Sequence, residues 1–198
     1  MKKKLFILFI TAVIQIISKE QMVKQRVLGD PNFGTHLTPL ITAALYTQGP
    51  VLEMGSGDYS TPLLHAICSV DKRLLISADT DKKWLSFFTD LETSWHQFVY
   101  VPVYEDDWSQ NPKPFMWDAI GNNIRWGVVF IDHRPGERRA IDIKRFKNQA
   151  DIIVVHDTQQ PSYGYEPVFA EFKYRYTYER YATTTTLVSN SIDVASLF

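Results

Sequence analysis

Five short apolar runs recur along the chain with little polar alternation inside them: Val51 to Met54, Leu74 to Ala78, Phe98 to Val103, Val128 to Ile131 and Ile152 to Val155. A strand with one wet face alternates apolar and polar side chains. A continuous apolar run is instead covered on both faces, as in a parallel sheet sandwiched by helices. Helical segments fill the gaps: Leu37 to Tyr46, Thr61 to Cys68, Lys82 to Leu91, Pro114 to Ile120, Glu137 to Phe146 and Glu166 to Phe172. Ser60 or Thr61 suits the cap of the second of these and Pro62 its first turn. After Phe172 the pattern changes. Tyr174 to Tyr178 alternates and Thr183 to Val188 is β-branched, which predicts two closing strands paired antiparallel. The alternation predicts a doubly wound α/β sheet whose ligand site lies beyond the carboxyl ends of its strands.

With 198 residues, 45% of them hydrophobic and 22% charged, the chain suits a single globular core. No repeat or Gly/Ser linker offers a place to divide it. A net charge of −1 gives no electrostatic reason to expect nucleic-acid binding. The lone Cys68 excludes an internal disulfide and any cysteine metal cluster, and within an apolar helix it reads as a buried, inert thiol. Lys2-Lys3-Lys4 followed by Leu5 to Ile17 resembles a signal peptide or short anchor, yet no clean cleavage site follows and the run is short for a span. Two readings stay open for residues 1–20: a secretory or anchoring segment, the one part able to contact a membrane, or a helix packed on the domain of an otherwise cytoplasmic protein. Residues 21–198 form the domain itself.

The most informative segment is Val51-Leu52-Glu53-Met54-Gly55-Ser56-Gly57-Asp58-Tyr59-Ser60-Thr61. Here an apolar strand runs into two glycines one residue apart and then into a helix start. Glycine allows a sharp turn and a close backbone approach. Asp79 ends the second strand, 22 residues past Gly57, the spacing expected of a carboxylate that grips ribose hydroxyls. A dinucleotide fingerprint would place a third small residue where Ser60 stands. Glu53 would also sit unhelpfully close to a diphosphate, so the electrostatics favour a zwitterionic, sulfonium-bearing ligand.

These segments resemble motifs I and II of the class I S-adenosylmethionine-dependent methyltransferases. Ser60-Thr61-Pro62-Leu63-Leu64, Phe130-Ile131-Asp132, Val155-His156-Asp157-Thr158 and Thr186-Leu187-Val188-Ser189-Asn190 extend the likeness across residues 35–198. The resemblance implies a Rossmann-like sheet of seven strands in the order 3-2-1-4-5-7-6, the seventh antiparallel. It places Glu53, Gly55 and Gly57 along the methionine and ribose side of the cofactor and Asp79 on the ribose. Asp106 or Asp107 would stand near the adenine, with Trp108 or Trp84 stacking; a solvated acidic loop is the alternative for the two aspartates. Ser56, Tyr59 and Ser60 are further cofactor candidates, the last two equally suited to capping and local packing.

At the reacting end, Asp132 and His133 follow the fourth strand, and His156 and Asp157 close the fifth. Strand ends adjacent in the sheet converge, so these four are the catalytic candidates. Methyl transfer to oxygen needs the acceptor in line with the sulfonium and its proton removed. His133 or His156 is a candidate base. Alternatively, Asp132 and Asp157 hold a divalent cation that acidifies the hydroxyl, an arrangement similar to catechol O-methyltransferase-like enzymes. Thr158 departs from that pattern, which uses asparagine. In the loop Arg134 to Arg139, Arg134 is the candidate clamp for an acidic acceptor, whereas Arg139 reads as solvated charge at a helix start. Tyr163-Gly164-Tyr165 is a candidate wall or lid.

The resulting expectation is a methyltransferase acting on oxygen of a small-molecule or glycan-type acceptor. A nicotinamide-dependent oxidoreductase and a non-catalytic cofactor-binding relative are the alternatives. Because the strand–helix series starts after residue 35, deletion of residues 1–20 is expected to leave the melting temperature almost unchanged. A large drop in a thermal melt would show Leu5 to Ile17 to be a packed helix.

Overall fold

The computed structural model describes residues 34–102 and 116–198, and residues 34–198 form one compact unit. The segment expected at residues 1–20 and the first part of the expected 21–198 domain lie outside the described residues. Element order is α1 (Leu37–Tyr46), β1 (Val51–Met54), α2 (Ser60–Ser69), β2 (Leu75–Asp79), α3 (Lys82–Leu85), β3 (His96–Tyr100), β4 (Trp126–Ile131), α4 (Gly136–Phe146), β5 (Ala150–His156), α5 (Tyr165–Phe169), β6 (Tyr174–Tyr178) and β7 (Thr185–Ser189). The strands make one sheet in the order β3-β2-β1-β4-β5-β7-β6. β1 to β5 pair in parallel, and β7 runs antiparallel to both β5 and β6. Among the described residues, no helix is long and apolar enough to cross a membrane.

The central strands β1 and β4 are buried at every position, which is why their sequences lack alternation. Their side chains nevertheless alternate between two cores. Leu52, Met54, Val129, Ile131, Ile153 and Val155 join one face with Ile143 and Phe146 of α4. Val51, Val128, Phe130, Ile152 and Val154 join the other with Leu40 and Ala43 of α1 and Leu64 and Cys68 of α2. Cys68 is a free thiol in the second core, and burial pushes its pKa up to about 11, so it stays protonated and inert.

Departures from expectation fall at the margins. β3 starts at His96 rather than Phe98 because its register is set by pairing with β2, Leu75 opposite His96. As an edge strand it is only partly covered, so apolar content marked its extent poorly. The helix expected over Lys82 to Leu91 is one α turn, α3, continued as a 3-10 segment, Ser86–Leu91. The described part of the Pro114 to Ile120 segment is likewise 3-10, at Met116–Ala119.

A buried arginine ties α1 to the sheet. Arg73, 9% exposed, donates to the Gly49 carbonyl, to the Ala44 carbonyl at 2.7 Å and to Thr47 Oγ1 at 2.8 Å. It thereby satisfies the Ala44 carbonyl in the last turn of α1, which has no partner within the helix, and the Gly49 carbonyl in the loop beyond. A β-carbon on Gly127 would lie 2.7 Å from Arg73 Nη2 and 2.8 Å from the Gly49 oxygen, so this crossing requires glycine. Arg125, by contrast, makes an exposed pair with Asp151 at 2.6 Å. Arg73→Met is expected to cost about 2–3 kcal/mol, because hydrogen bonds to a charged donor are lost inside the fold. Arg125→Met should cost no more than about 1 kcal/mol. Urea denaturation of both variants checks the contrast, and equal losses would refute it.

Candidate functional site

At the carboxyl ends of β1, β2 and β4 lies a crevice of about 1180 Å³. Its walls include Gly55, Ser56, Asp79, Lys82, Trp84, Tyr100, Asp132, Arg134 and Tyr163. Gly55 turns the chain out of β1 with φ +93°, a conformation that disfavours any side chain. A β-carbon there would meet the Asp132 backbone at 2.6 Å, so the glycine brings the ends of β1 and β4 together. The turn is held from β2 and α3. Ser56 N–H donates to Asp79 Oδ2 at 2.9 Å, and the Trp84 indole N–H donates to the Ser56 carbonyl at 2.7 Å. Asp79 Oδ1 accepts from Asp81 N–H at 2.9 Å. Trp84 is thus a brace of the turn as well as part of the wall.

Glu53 stands elsewhere than expected. It is fully buried on the α2 side of β1, away from the crevice. Its carboxylate accepts from Thr61 Oγ1 at 3.0 Å and from Ser77 Oγ at 2.5 Å. Thr61 Oγ1 in turn accepts from Gly57 N–H at 2.9 Å. Glu53 therefore anchors the glycine turn from beneath. Gly57, Tyr59 and Ser60 also lie off the crevice wall. Tyr59 precedes α2 and packs against Gly34, and Ser60 is buried at the start of α2, as packing would have it. Asp106, Asp107 and Trp108 lie outside the described residues.

Burial raises the Glu53 pKa to about 7 against the opposing hydrogen bonds of Ser60, Ser77 and Thr61. Behind it runs a continuous chain: Ser77 Oγ is 2.9 Å from His96 Nε2, and His96 Nδ1 is 3.0 Å from Nδ1 of the half-buried His65.

At the reacting end the two carboxylates do converge, and a guanidinium holds them. Arg139 Nη2 is 3.0 Å from Asp132 Oδ1, and Arg139 Nη1 is 3.3 Å from Asp157 Oδ2. The same guanidinium donates to the carbonyls of His133 at 2.7 Å, Asp132 at 2.9 Å and His156 at 3.2 Å. Arg139 is buried, which corrects its reading as solvated charge. It supplies positive charge between the oxygens where the expected cation would have lain. His156 Nδ1 is 3.2 Å from Asp132 Oδ2, and its Nε2 is 2.9 Å from Thr35 Oγ1. Burial opposes ionisation of Asp132, but His156 and Arg139 outweigh it and hold the carboxyl below its usual range.

The structure separates His133 from this group. Its side chain has no exposed surface, its ring lies 4.4 Å from that of Trp117, and Nε2 stands 3.1 Å from the buried Asp142. Arg138 and Arg145 of α4 also pair with Asp142. His133 thus belongs to a packing cluster under α4, and burial lowers its pKa. Its expected role as base is corrected on that ground.

Sequence reasoning missed His36. It sits just before α1 with its ring 4.7 Å from that of His156 and 4.9 Å from that of Phe130. Nothing in the local sequence marks it, because only the packing of α1 on β4 and β5 carries it to the strand ends.

No family model matches the chain, and no curated protein sequence matches it. Solved structures do. A METTL16 methyltransferase domain, described as delta-N, is 13% identical with a TM-score of 0.50, over 79% of this chain and 82% of that one. The human methyltransferase 10 domain containing protein is 13% identical with a TM-score of 0.50, over 81% of this chain and 84% of that one. At this identity the likeness is one of fold: the chain has the class I methyltransferase fold.

The raised Glu53 pKa has a signed consequence. The folded state keeps this proton up to about pH 7, whereas the unfolded chain releases it near 4.5. Glu53 therefore stabilises the fold most below about pH 4.5, and this contribution falls as pH rises to 7 and is constant beyond. The stability difference between the wild type and Glu53→Gln is expected to follow that slope, on the order of 1 kcal/mol per pH unit. His36 and His96, lowered to about 4 by burial, act in the opposite direction but are present in both proteins. Denaturation at stepped pH checks it, and a flat difference would show that folding leaves the Glu53 pKa unshifted.

Proposed function

We propose that this chain is an S-adenosylmethionine-dependent methyltransferase that methylates oxygen on a small-molecule or glycan-type acceptor. The observation that carries the reading is Asp79 at the end of β2, facing the same crevice as the Gly55–Ser56 turn. Trp84 and Tyr100 add aromatic surface to that wall, and an adenosine needs this combination of carboxylate and ring. The wall carries both signs of charge, Asp79, Asp81 and Asp132 with Lys82, Lys83 and Arg134, which suits a zwitterionic ligand. The structural neighbours, named as methyltransferases, support the same reading.

S-adenosylmethionine supplies an electrophilic methyl group when bound. Asp79 would hold the ribose hydroxyls, and the backbone of Gly55 and Ser56 would lie along the methionine side. Asp132 lines the crevice with 25% of its side chain exposed, and so can accept a hydrogen bond from the acceptor's hydroxyl. Asp132 is then the group placed to take up the proton as the methyl group is transferred, and His156 stands behind it, with Nδ1 3.2 Å from Oδ2, orienting the carboxylate. Arg134 is exposed on the crevice wall and suits an acidic group on the acceptor. Tyr163 closes that side, with its ring against Gly136 and over the Arg139 guanidinium.

Parallel calorimetric titrations with S-adenosylmethionine, S-adenosylhomocysteine and NAD test the cofactor. Both adenosyl ligands are expected to bind and NAD is not. Asp79→Ala should weaken S-adenosylhomocysteine by about 10- to 100-fold, as loss of charge-assisted hydrogen bonds would. Binding of NAD alone would favour a nicotinamide-dependent oxidoreductase and overturn the proposal.

A further inference from the structure

Beside the crevice, two histidines and a carboxylate from three separate segments come together. One donor atom each from His36, Asp132 and His156 lies within 4.8 Å of the others. The remaining atoms of two of these side chains are already committed. His156 Nε2 is engaged by Thr35 Oγ1 at 2.9 Å, which leaves Nδ1 facing Asp132 Oδ2 at 3.2 Å. Asp132 Oδ1 is engaged by Arg139 at 3.0 Å, which leaves Oδ2 facing His156. Outer partners that fix the tautomer of a histidine and the orientation of a carboxylate are what a metal site requires.

His36 supplies an independent observation. The residue is only 3% exposed, yet neither ring nitrogen has a hydrogen-bond partner among the described residues. Buried polar atoms of this kind are rare and call for an explanation. The ring stands edge-on to His156, so a modest rotation would bring a nitrogen toward the other two donors. Bonds of about 2.0–2.1 Å to a common ion put donors roughly 3.0–3.5 Å apart. The His156–Asp132 separation already meets that spacing, and His36 is the side chain that has to close.

We propose that His36, Asp132 and His156 form a binding site for one divalent first-row transition ion. Two imidazoles and one carboxylate select zinc, cobalt, iron or manganese over magnesium and calcium, which favour all-oxygen shells. The site differs from the Asp132–Asp157 pair suggested by the sequence, since Arg139 occupies the space between those two. Asp132 belongs to the crevice wall, so an ion there stands where the acceptor's hydroxyl would be polarised. That role rests on the methyltransferase reading; binding of the ion does not.

Chelator-dialysed full-length protein is titrated with cobalt(II), followed by visible absorption, and then with zinc as competitor. One cobalt per chain is expected, displaced by zinc and not by millimolar magnesium, together with a rise in melting temperature. His36→Gln and His156→Gln should each weaken uptake at least about 10- to 100-fold and abolish the thermal shift. His65→Gln, a control in the separate His65–His96 pair, should leave uptake unchanged. Failure of the wild type to take up cobalt or zinc, or uptake undiminished in a folded His36→Gln protein, would overturn the proposal. So would loss confined to Asp157→Asn. Titration of the same metal-free protein with S-adenosylhomocysteine reads the cofactor proposal separately, so either can fail alone.

Discussion

The functional end of this fold depends on one buried guanidinium. Two carboxylates closing neighbouring parallel strands would repel each other, and one would protonate. Arg139 reaches both from the first turns of α4 and also takes the carbonyls of Asp132, His133 and His156. A planar fork of donors can do this where a lysine ammonium could not. A buried pair of this kind adds little net stability, yet removing one partner strands the others without solvent. Its effect is therefore to specify how the ends of β4 and β5 are held, and with them Asp132 and His156.

The glycine turn is specified in a similar way, from outside itself. Gly55 permits the approach of β1 to β4, but the turn's position comes from Asp79 and Trp84 on one side and from Glu53 through Thr61 on the other. The acidic residue of the motif is thus an internal strut, and the carboxylate facing the crevice is contributed by the next strand.

Much of this was legible in the sequence. The apolar runs located the sheet because strands buried on both faces carry that signal without help from their neighbours. The closing antiparallel pair was equally plain, since its alternation differs from that of the central strands. That Asp132 and Asp157 come together was legible because strand ends in this topology converge. The errors have a common origin. His133 and His156 both sit beside an aspartate at a strand end, but the backbone directs one ring under α4 and the other toward Asp132. Arg139 looked like surface charge because a helix start is usually wet, and only the docking of α4 buries it. His36 lies 96 residues from Asp132 in the chain, and no local pattern reports a contact at that distance.

The line of groups behind Glu53 has a consequence for how fast that carboxyl can respond. Burial keeps His96 neutral, so its single ring proton is available to Ser77, and Ser77 can then give its own to Glu53. If His65 Nδ1 carries the proton it shares with His96 Nδ1, each link points the same way, from the half-buried imidazole inward to the acid. Such an aligned series is polarised by the charge at its end. An interior carboxyl normally exchanges its proton only when the core opens, on the timescale of local unfolding. Here Ser77, His96 and His65 join Glu53 to a half-buried imidazole, so a path for the proton exists that does not require the core to open.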